Sequence, residues 1–244
     1  MLNGLQNCVA VVTGASSGIG RAIARALAER GATLCLVGRR SDTLEAVRRE
    51  MTAAGPSPEV YVCDLAQARD ISELRDRLVS VHGRVDILVH SAGTISLGTI
   101  ESAPIADFDQ QFQINVRAPY LLTQTLLPLV KAVQGQIVFI NSSVGLRTKE
   151  QAGAYAASKY ALRAIADTLR MEVNAFGVRV LSVYPGNTAT AMQDAIQNHT
   201  GKRLENQYLL QPDDIASAVI HALLLPRTAE VTDIQIRPFR KAPA

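Results

Sequence analysis

Tryptophan is absent from this 244-residue chain, and aromatic residues make up only 5% of it. That scarcity excludes a core built on large rings and suits small aliphatic packing around a parallel sheet. Cysteine is scarce as well. Cys8, Cys35 and Cys63 are an odd count with no C-x-x-C spacing, which speaks against a disulfide framework and against a thiolate metal site. Each falls in or beside an apolar run, so all three are expected as free, buried thiols behaving as small hydrophobes. No apolar run approaches the roughly 20 residues that cross a bilayer. Residues 1–14 lack the basic start and apolar stretch of a secretory signal, and a cytoplasmic protein is expected. Charge of one sign is also missing: the formal net charge is +3, scattered, with no basic stripe and no interleaved stacking rings. Nucleic acid and membrane are therefore not expected partners.

What the chain does have is aliphatic residues, with 48% of positions hydrophobic, enough for a large core. Short β-branched runs at 8–13, 33–37, 59–62, 86–90, 136–141, 178–184 and 231–236 read as strands. They are apolar nearly throughout, as expected where both faces of a strand are covered. Helical patterns lie between them at 18–30, 42–54, 70–82, 107–133, 154–175 and 212–225. In the second, Leu44, Val47 and Met51 mark one apolar face, and Asp42 and Asp70 stand where N-caps belong. Alternation of this kind implies right-handed crossovers and an α/β architecture: a doubly wound parallel sheet of about seven strands with helices on both faces. No repeat or low-complexity linker divides the chain, so residues 1–244 read as a single domain. The long irregular segment 187–211, with a helical piece near 191–197, has the length of a functional lid.

The first strand runs into Thr13-Gly14-Ala15-Ser16-Ser17-Gly18-Ile19-Gly20, and a helix follows at once. Glycines at a strand-to-helix turn let the backbone curl tightly against a pyrophosphate, while the helix N-terminus directs free N–H groups at its oxygens. A glycine triplet alone is a weak signal; the strand–turn–helix context is what the dinucleotide reading requires. The second strand ends at Val37-Gly38-Arg39-Arg40 with no acid to hold an NAD ribose hydroxyl. Arginine grips a 2′-phosphate bidentately, so NADP(H) is expected in preference to NAD(H). The plainer alternative is two solvated arginines at a helix start.

Tyr155-Ala156-Ala157-Ser158-Lys159 opens a long helical pattern. Side chains four apart share a helix face, and a neighbouring ammonium favours a phenolate. An unperturbed tyrosine titrates near pH ~10, so this pairing is what would let it exchange protons with a substrate oxygen near neutrality. The fifth strand ends at Asn141-Ser142-Ser143, where a parallel sheet presents groups to the crevice beyond its carboxyl edge. The hydroxyl of Ser142 is placed to hold the same oxygen.

These residues, with Asp64, Ala92-Gly93, Asn115 and Pro185-Gly186 in order and spacing, resemble the short-chain dehydrogenase/reductase family in its compact form, over nearly the whole chain. The resemblance implies a Rossmann-type fold and a small-molecule carbonyl or alcohol substrate. It makes Tyr155 the general acid/base and Ser142 the group that orients the carbonyl. Lys159 would bind the nicotinamide ribose and lower the tyrosine pKa, and Asn115 would hold a water linking the lysine to solvent. Gly14, Ser16, Ser17, Gly18, Ile19 and Gly20 would bind the phosphates, and Arg39 and Arg40 the 2′-phosphate. Asp64 and Leu65 would meet the adenine, Ala92 and Gly93 the adenosine half, and Pro185, Gly186, Thr188 and Thr190 the carboxamide. For Asp64, a helix cap is the plain alternative. Relatives of this type pair through helices corresponding to 107–133 and 154–175, which implies a homodimer or homotetramer.

Two departures stand out. The family's Asn-Asn-Ala-Gly is His90-Ser91-Ala92-Gly93 here, and His90 reads as a satisfied core histidine rather than a catalyst. The C-terminus, 231–244, lacks the glycine-rich ending of the acyl-carrier-protein reductases. A non-catalytic NADP(H)-sensing protein on the same fold is the rival reading, opposed by the intact Ser142, Tyr155 and Lys159. An epimerase or dehydratase of the extended branch is opposed by glycine spacing and length. The pocket should be walled by 95–97, 144–151 and the segment after Pro185. Arg147 and Lys149 there suit either an anionic substrate or plain solvation.

Overall fold

The computed structural model describes residues 4–52 and 57–240. In chain order these form β1 (Val9–Thr13), α1 (Gly18–Ala28), β2 (Thr33–Gly38), α2 (Ser41–Thr52), β3 (Glu59–Val62), α3 (Ala68–Val81) and β4 (Ile87–His90). There follow α4 (Ile105–Phe112), α5 (Ala118–Ala132), β5 (Gln136–Ile140), α6 (Gly153–Val173), β6 (Arg179–Pro185), α7 (Ala191–Thr200), α8 (Pro212–Leu223) and β7 (Asp233–Ile236). The seven strands lie in the order β3-β2-β1-β4-β5-β6-β7, every neighbouring pair parallel. This is the doubly wound sheet expected from the alternating apolar runs.

Strand alternation divides the core into two layers. On β1, Ala10 and Val12 face Ile23, Leu27 and the α8 residues Ile215 and Val219. Val9 and Val11 face the other way, toward Leu74 and Leu78 of α3, Leu122 of α5 and Leu162 of α6. With helices on both faces, no strand face in the middle of the sheet is left for water, which is why β1, β4 and β5 are apolar at almost every position. The chain order reverses between β1 and β4. Helices leave those two strands toward opposite faces, so a crevice opens beyond their carboxyl ends.

Local chemistry departs from the sequence expectations in three places. The pattern 107–133 is not one regular helix: α4 and α5 are separated by a π-helical turn at Gln113–Arg117, where the Ala118 N–H reaches the Gln113 carbonyl. The reason lies in Pro119, which lacks the N–H that would return to Asn115 in α-helical register. Asp42 and Asp70 are not N-caps. Ser41 already begins α2, and α3 starts at Ala68 with Gln67 in the cap position, so both acids sit in first turns, where the helix dipole still favours them. The carboxylate of Asp70 accepts the Asp64 N–H at 2.8 Å. Ala53 and Ala54, the end of the expected second helix, lie outside the described residues. Of the thiols, Cys35 and Cys63 are buried but Cys8 is only half-buried; all three are free.

His90 is a core residue. Its ring stacks on Phe139, its register partner on β5, at 4.7 Å between centroids, and Nε2 lies 2.8 Å from the Thr123 hydroxyl on α5. Burial lowers its pKa to about 3, against roughly 6.5 for the unfolded chain. Between these values the unfolded chain binds a proton that the fold refuses. The histidine's contribution to stability is therefore complete above about pH 6.5 and is lost as pH falls toward 3. His90→Asn, which removes the titrating group, should flatten the dependence of unfolding free energy on pH across that window, measured by urea titration. An unchanged slope would contradict the neutral, buried imidazole.

Candidate active site

The turn after β1 is built from backbone packed on backbone. Gly14 takes a left-handed φ of +65°, and a Cβ there would lie 2.9 Å from the Ala92 backbone. A Cβ on Gly20 would lie 2.5 Å from the Gly14 carbonyl oxygen. The buried Thr13 hydroxyl locks this turn to the next one: it donates to the Val89 carbonyl at 3.2 Å and accepts the N–H groups of Ser91 and Ala92 at 3.0 and 3.1 Å. α1 begins at Gly18, and Ser17 makes no side-chain cap bond to it. Its first N–H groups therefore face the crevice without a side-chain acceptor, the arrangement that suits an anion.

A cleft of about 640 Å³ runs from this turn along the carboxyl edge of the sheet. Every site residue expected from the sequence lines it, except Asn115. At one end stand Arg39 and Arg40, exposed after β2 and without an ion-pair partner among the described residues. Asp64 and Leu65 flank them, and the Asp64 carboxylate accepts the Ala66 N–H at 3.1 Å, so it does serve as a turn cap while lining the cleft. At the other end Pro185, Gly186, Thr188 and Thr190 line the mouth, with Met192, Gln193 and Ile196 of α7 over it. Thr190 also caps α7 through the Gln193 N–H.

Tyr155 and Lys159 stand one turn apart on the buried face of α6, with the ammonium nitrogen 5.7 Å from the centroid of the phenol ring. Burial pushes the Tyr155 phenol up to about 12, while the neighbouring Ser142 side chain pulls it back. Burial lowers Lys159 to about 8. Desolvation, rather than the charge of the lysine, thus dominates the tyrosine in the free protein, a term that spacing on a helix cannot display. The lysine donates to the Ile140 carbonyl at 3.1 Å.

Asn115 lies behind the cleft in the π-helical turn, its amide bonded to the Thr94 backbone and to Ser158. Two contributors escape the sequence reading. The Asn141 amide donates to the Lys159 carbonyl at 3.1 Å and its oxygen accepts the Ser142 N–H at 2.9 Å, coupling the serine strand to the lysine helix. Ser158 is wholly buried between tyrosine and lysine. Their only sequence signal is adjacency to Ser142 and Lys159. Lys149 reaches the cleft beside Glu150, whereas Arg147 does not line it. Among the described residues no group of His, Cys, Asp or Glu could hold a metal.

A glycine turn at the switch point of a parallel sheet is joined by one cleft to a buried tyrosine and lysine, the layout of a doubly wound α/β protein with its ligand crevice at the carboxyl edge. Comparison narrows the class: the model of the short chain dehydrogenases matches residues 8–201, and the chain belongs to that family of oxidoreductases. An uncharacterized oxidoreductase of Staphylococcus aureus is 33% identical over 235 residues, 96% of this chain and 98% of that protein. Among solved structures, an alcohol dehydrogenase from the archaeon Thermococcus sibiricus complexed with 5-hydroxy-NADP is 30% identical with a TM-score of 0.87, covering 97% of this chain and 99% of that one. A metagenomic short-chain oxidoreductase in complex with NADP is 33% identical with a TM-score of 0.84, again covering 97% and 99%.

The contact between Gly20 and Gly14 is the tightest in the turn. Gly20→Ala should cost about 1–3 kcal/mol in urea unfolding, since a methyl must push aside backbone rather than a flexible side chain. Wild-type stability in that variant would show that the turn yields freely.

Proposed function

We propose that this chain interconverts a carbonyl and a secondary alcohol with NADP(H), Tyr155 acting as the general acid/base. The observation that carries the reading is that Tyr155 and Lys159, both buried, open into the same cleft as the glycine turn. The residues present fit a dinucleotide: a tight glycine turn closed by backbone packing at Gly14 and Gly20, a start of α1 with no side-chain cap bond from Ser17, and two exposed arginines with no carboxylate partner among the described residues. Gly14, Ser16, Ser17, Gly18, Ile19 and Gly20 would hold the phosphates. Asp64, Leu65, Ala92 and Gly93 would hold the adenosine half, and Pro185, Gly186, Thr188 and Thr190 the carboxamide. When bound, the nicotinamide supplies or accepts the hydride.

The chain's own residues do the rest. In the reducing direction the Tyr155 hydroxyl donates its proton to the substrate oxygen, and Ser142, which lines the same cleft, polarises that oxygen as charge develops on it. Lys159 supports the phenolate that remains, and its lowered pKa of about 8 leaves it able to pass a proton near neutral pH. Asn115 anchors the turn behind them. Relatives solved with NADP support the cofactor, and Arg39 and Arg40 support its 2′-phosphate. A sensor that binds without turnover would have no use for the intact Ser142, Tyr155 and Lys159.

The same reading takes 1–244 as one catalytic domain with 187–211 as its lid, working as a homodimer or homotetramer. Exposed Tyr120 on α5 and Tyr160 and Met171 on α6 support that pairing. Free thiols at Cys35 and Cys63 support a cytoplasmic setting.

Tyr155→Phe should abolish NADPH oxidation across a panel of ketones and aldehydes while NADPH binding, followed by nicotinamide fluorescence, persists. Turnover near the wild-type rate would refute the assignment. Arg39→Ala and Arg40→Ala should each weaken NADPH by about 1.5–3 kcal/mol, roughly ten- to hundredfold, and leave NADH affinity unchanged. Equal losses for both dinucleotides would overturn the 2′-phosphate role.

A further inference from the structure

The first turn of α6 carries Tyr155 yet has little of its own to hold it. Ala152, in the cap position, makes no side-chain cap bond, and Gln151 before it sits in the left-handed region at φ +60°. An uncapped first turn has unsatisfied N–H groups and frays readily. A proton donor in such a turn needs an external anchor.

Asn115 supplies one through Ser158, which stands on α6 itself. The Ser158 Oγ donates to the Tyr155 carbonyl at 2.7 Å and lies 3.0 Å from Asn115 Nδ2. A hydroxyl has one proton, and a carbonyl can only accept, so that proton is committed to Tyr155. Toward Asn115 the serine must therefore accept. This fixes the amide: Nδ2 donates to Ser158 and to the Thr94 carbonyl at 2.9 Å, and Oδ1 accepts the Thr94 N–H at 2.9 Å. From the amide onward the donors run from Asn115 to Ser158 to Tyr155, while Asn115 and the Thr94 backbone exchange one bond in each direction. This strap ties the start of α6 through the π-helical turn to the loop that follows β4, and Ser158 is 0% exposed, so no water can replace it without a cavity opening.

We propose that Ser158 is a positioning residue that holds the Tyr155 phenol in register with Ser142 and Lys159 for proton transfer. The proposal rests on the acid/base reading of Tyr155. Removing the hydroxyl leaves Asn115 Nδ2 one acceptor short and frees the first turn of α6. The phenol then drifts from the Ser142 hydroxyl, whose nearness lowers its pKa, so the acid/base group titrates higher.

The test compares wild type, Ser158→Ala, Ser158→Thr and Tyr155→Phe on the carbonyl that the wild type reduces fastest. For Ser158→Ala, kcat should fall roughly 10- to 100-fold, as expected for a misplaced reacting group. The midpoint of its kcat–pH profile should move upward, and NADPH affinity should stay at the wild-type value. Ser158→Thr, which keeps the hydroxyl, should restore both kcat and the midpoint. A wild-type kcat in Ser158→Ala, or a fall in kcat with the midpoint unmoved, would overturn the positioning role. Tyr155→Phe separates the two levels: if it too retains turnover, the acid/base reading itself has failed. Should Ser158→Ala not fold, Ser158→Cys keeps the volume and weakens the donor, with the same expected shift and the same overturning result.

Discussion

Burial of an ammonium and a phenol one helical turn apart is the constraint around which this molecule is arranged. Lys159 is 4% exposed and Tyr155 6%. Taking a charge out of water is costly unless polar groups receive it, and the neutral forms gain otherwise. Both pKa shifts here have desolvation as their largest cause, the lysine lowered and the tyrosine raised. The lysine has the Ile140 carbonyl as an acceptor at 3.1 Å, and the phenol has the Ser142 hydroxyl near it, lowering its pKa. Two groups so placed hold their protons with shifted affinity and with few polar partners among the described residues. That combination belongs in a cleft awaiting a polar ligand rather than in a sealed core.

The surrounding framework meets this cost with fixed polar groups. Asn141 spans from the Ser142 N–H to the Lys159 carbonyl, and Asn115 ties the loop after β4 to α6 through Ser158. Thr13 does the same for the two turns that face the opposite end of the cleft. All three sit at carboxyl ends of strands or on the helix packed beside them. There the doubly wound sheet leaves backbone groups unpaired and a crevice open. The parallel sheet, rigid through two apolar layers, is what allows short loops to hold these groups without a large framework of their own.

Much of this was legible from residue order. Apolar runs covered on both faces pointed to central parallel strands, and the seven expected strands are the seven observed. The glycine turn was legible because positive φ and close backbone approach leave few alternatives to glycine at Gly14 and Gly20. The Tyr155–Lys159 pair was legible because helical spacing is periodic. Helix boundaries were less so. Apolar periodicity runs unbroken through 107–133, and the extra residue of the π-helical turn changes hydrogen bonding without interrupting that pattern. Asp42 and Asp70 look like caps by composition, but a cap is decided by which N–H groups are free, and the chain starts both helices earlier.

By itself the sequence determined the layer architecture, the glycine turn after β1 and the Tyr155–Lys159 spacing, because each depends on short-range periodicity or on one residue's backbone freedom. The tertiary structure alone decided three things: that the tyrosine is governed by desolvation before charge, that His90 is a neutral brace between β4, β5 and α5, and that Asn115 reaches Tyr155 through Ser158. Solvent exclusion and hydrogen bonds spanning 33 to 43 residues are properties of packing. No local pattern along the chain encodes the distance between elements that only folding brings together.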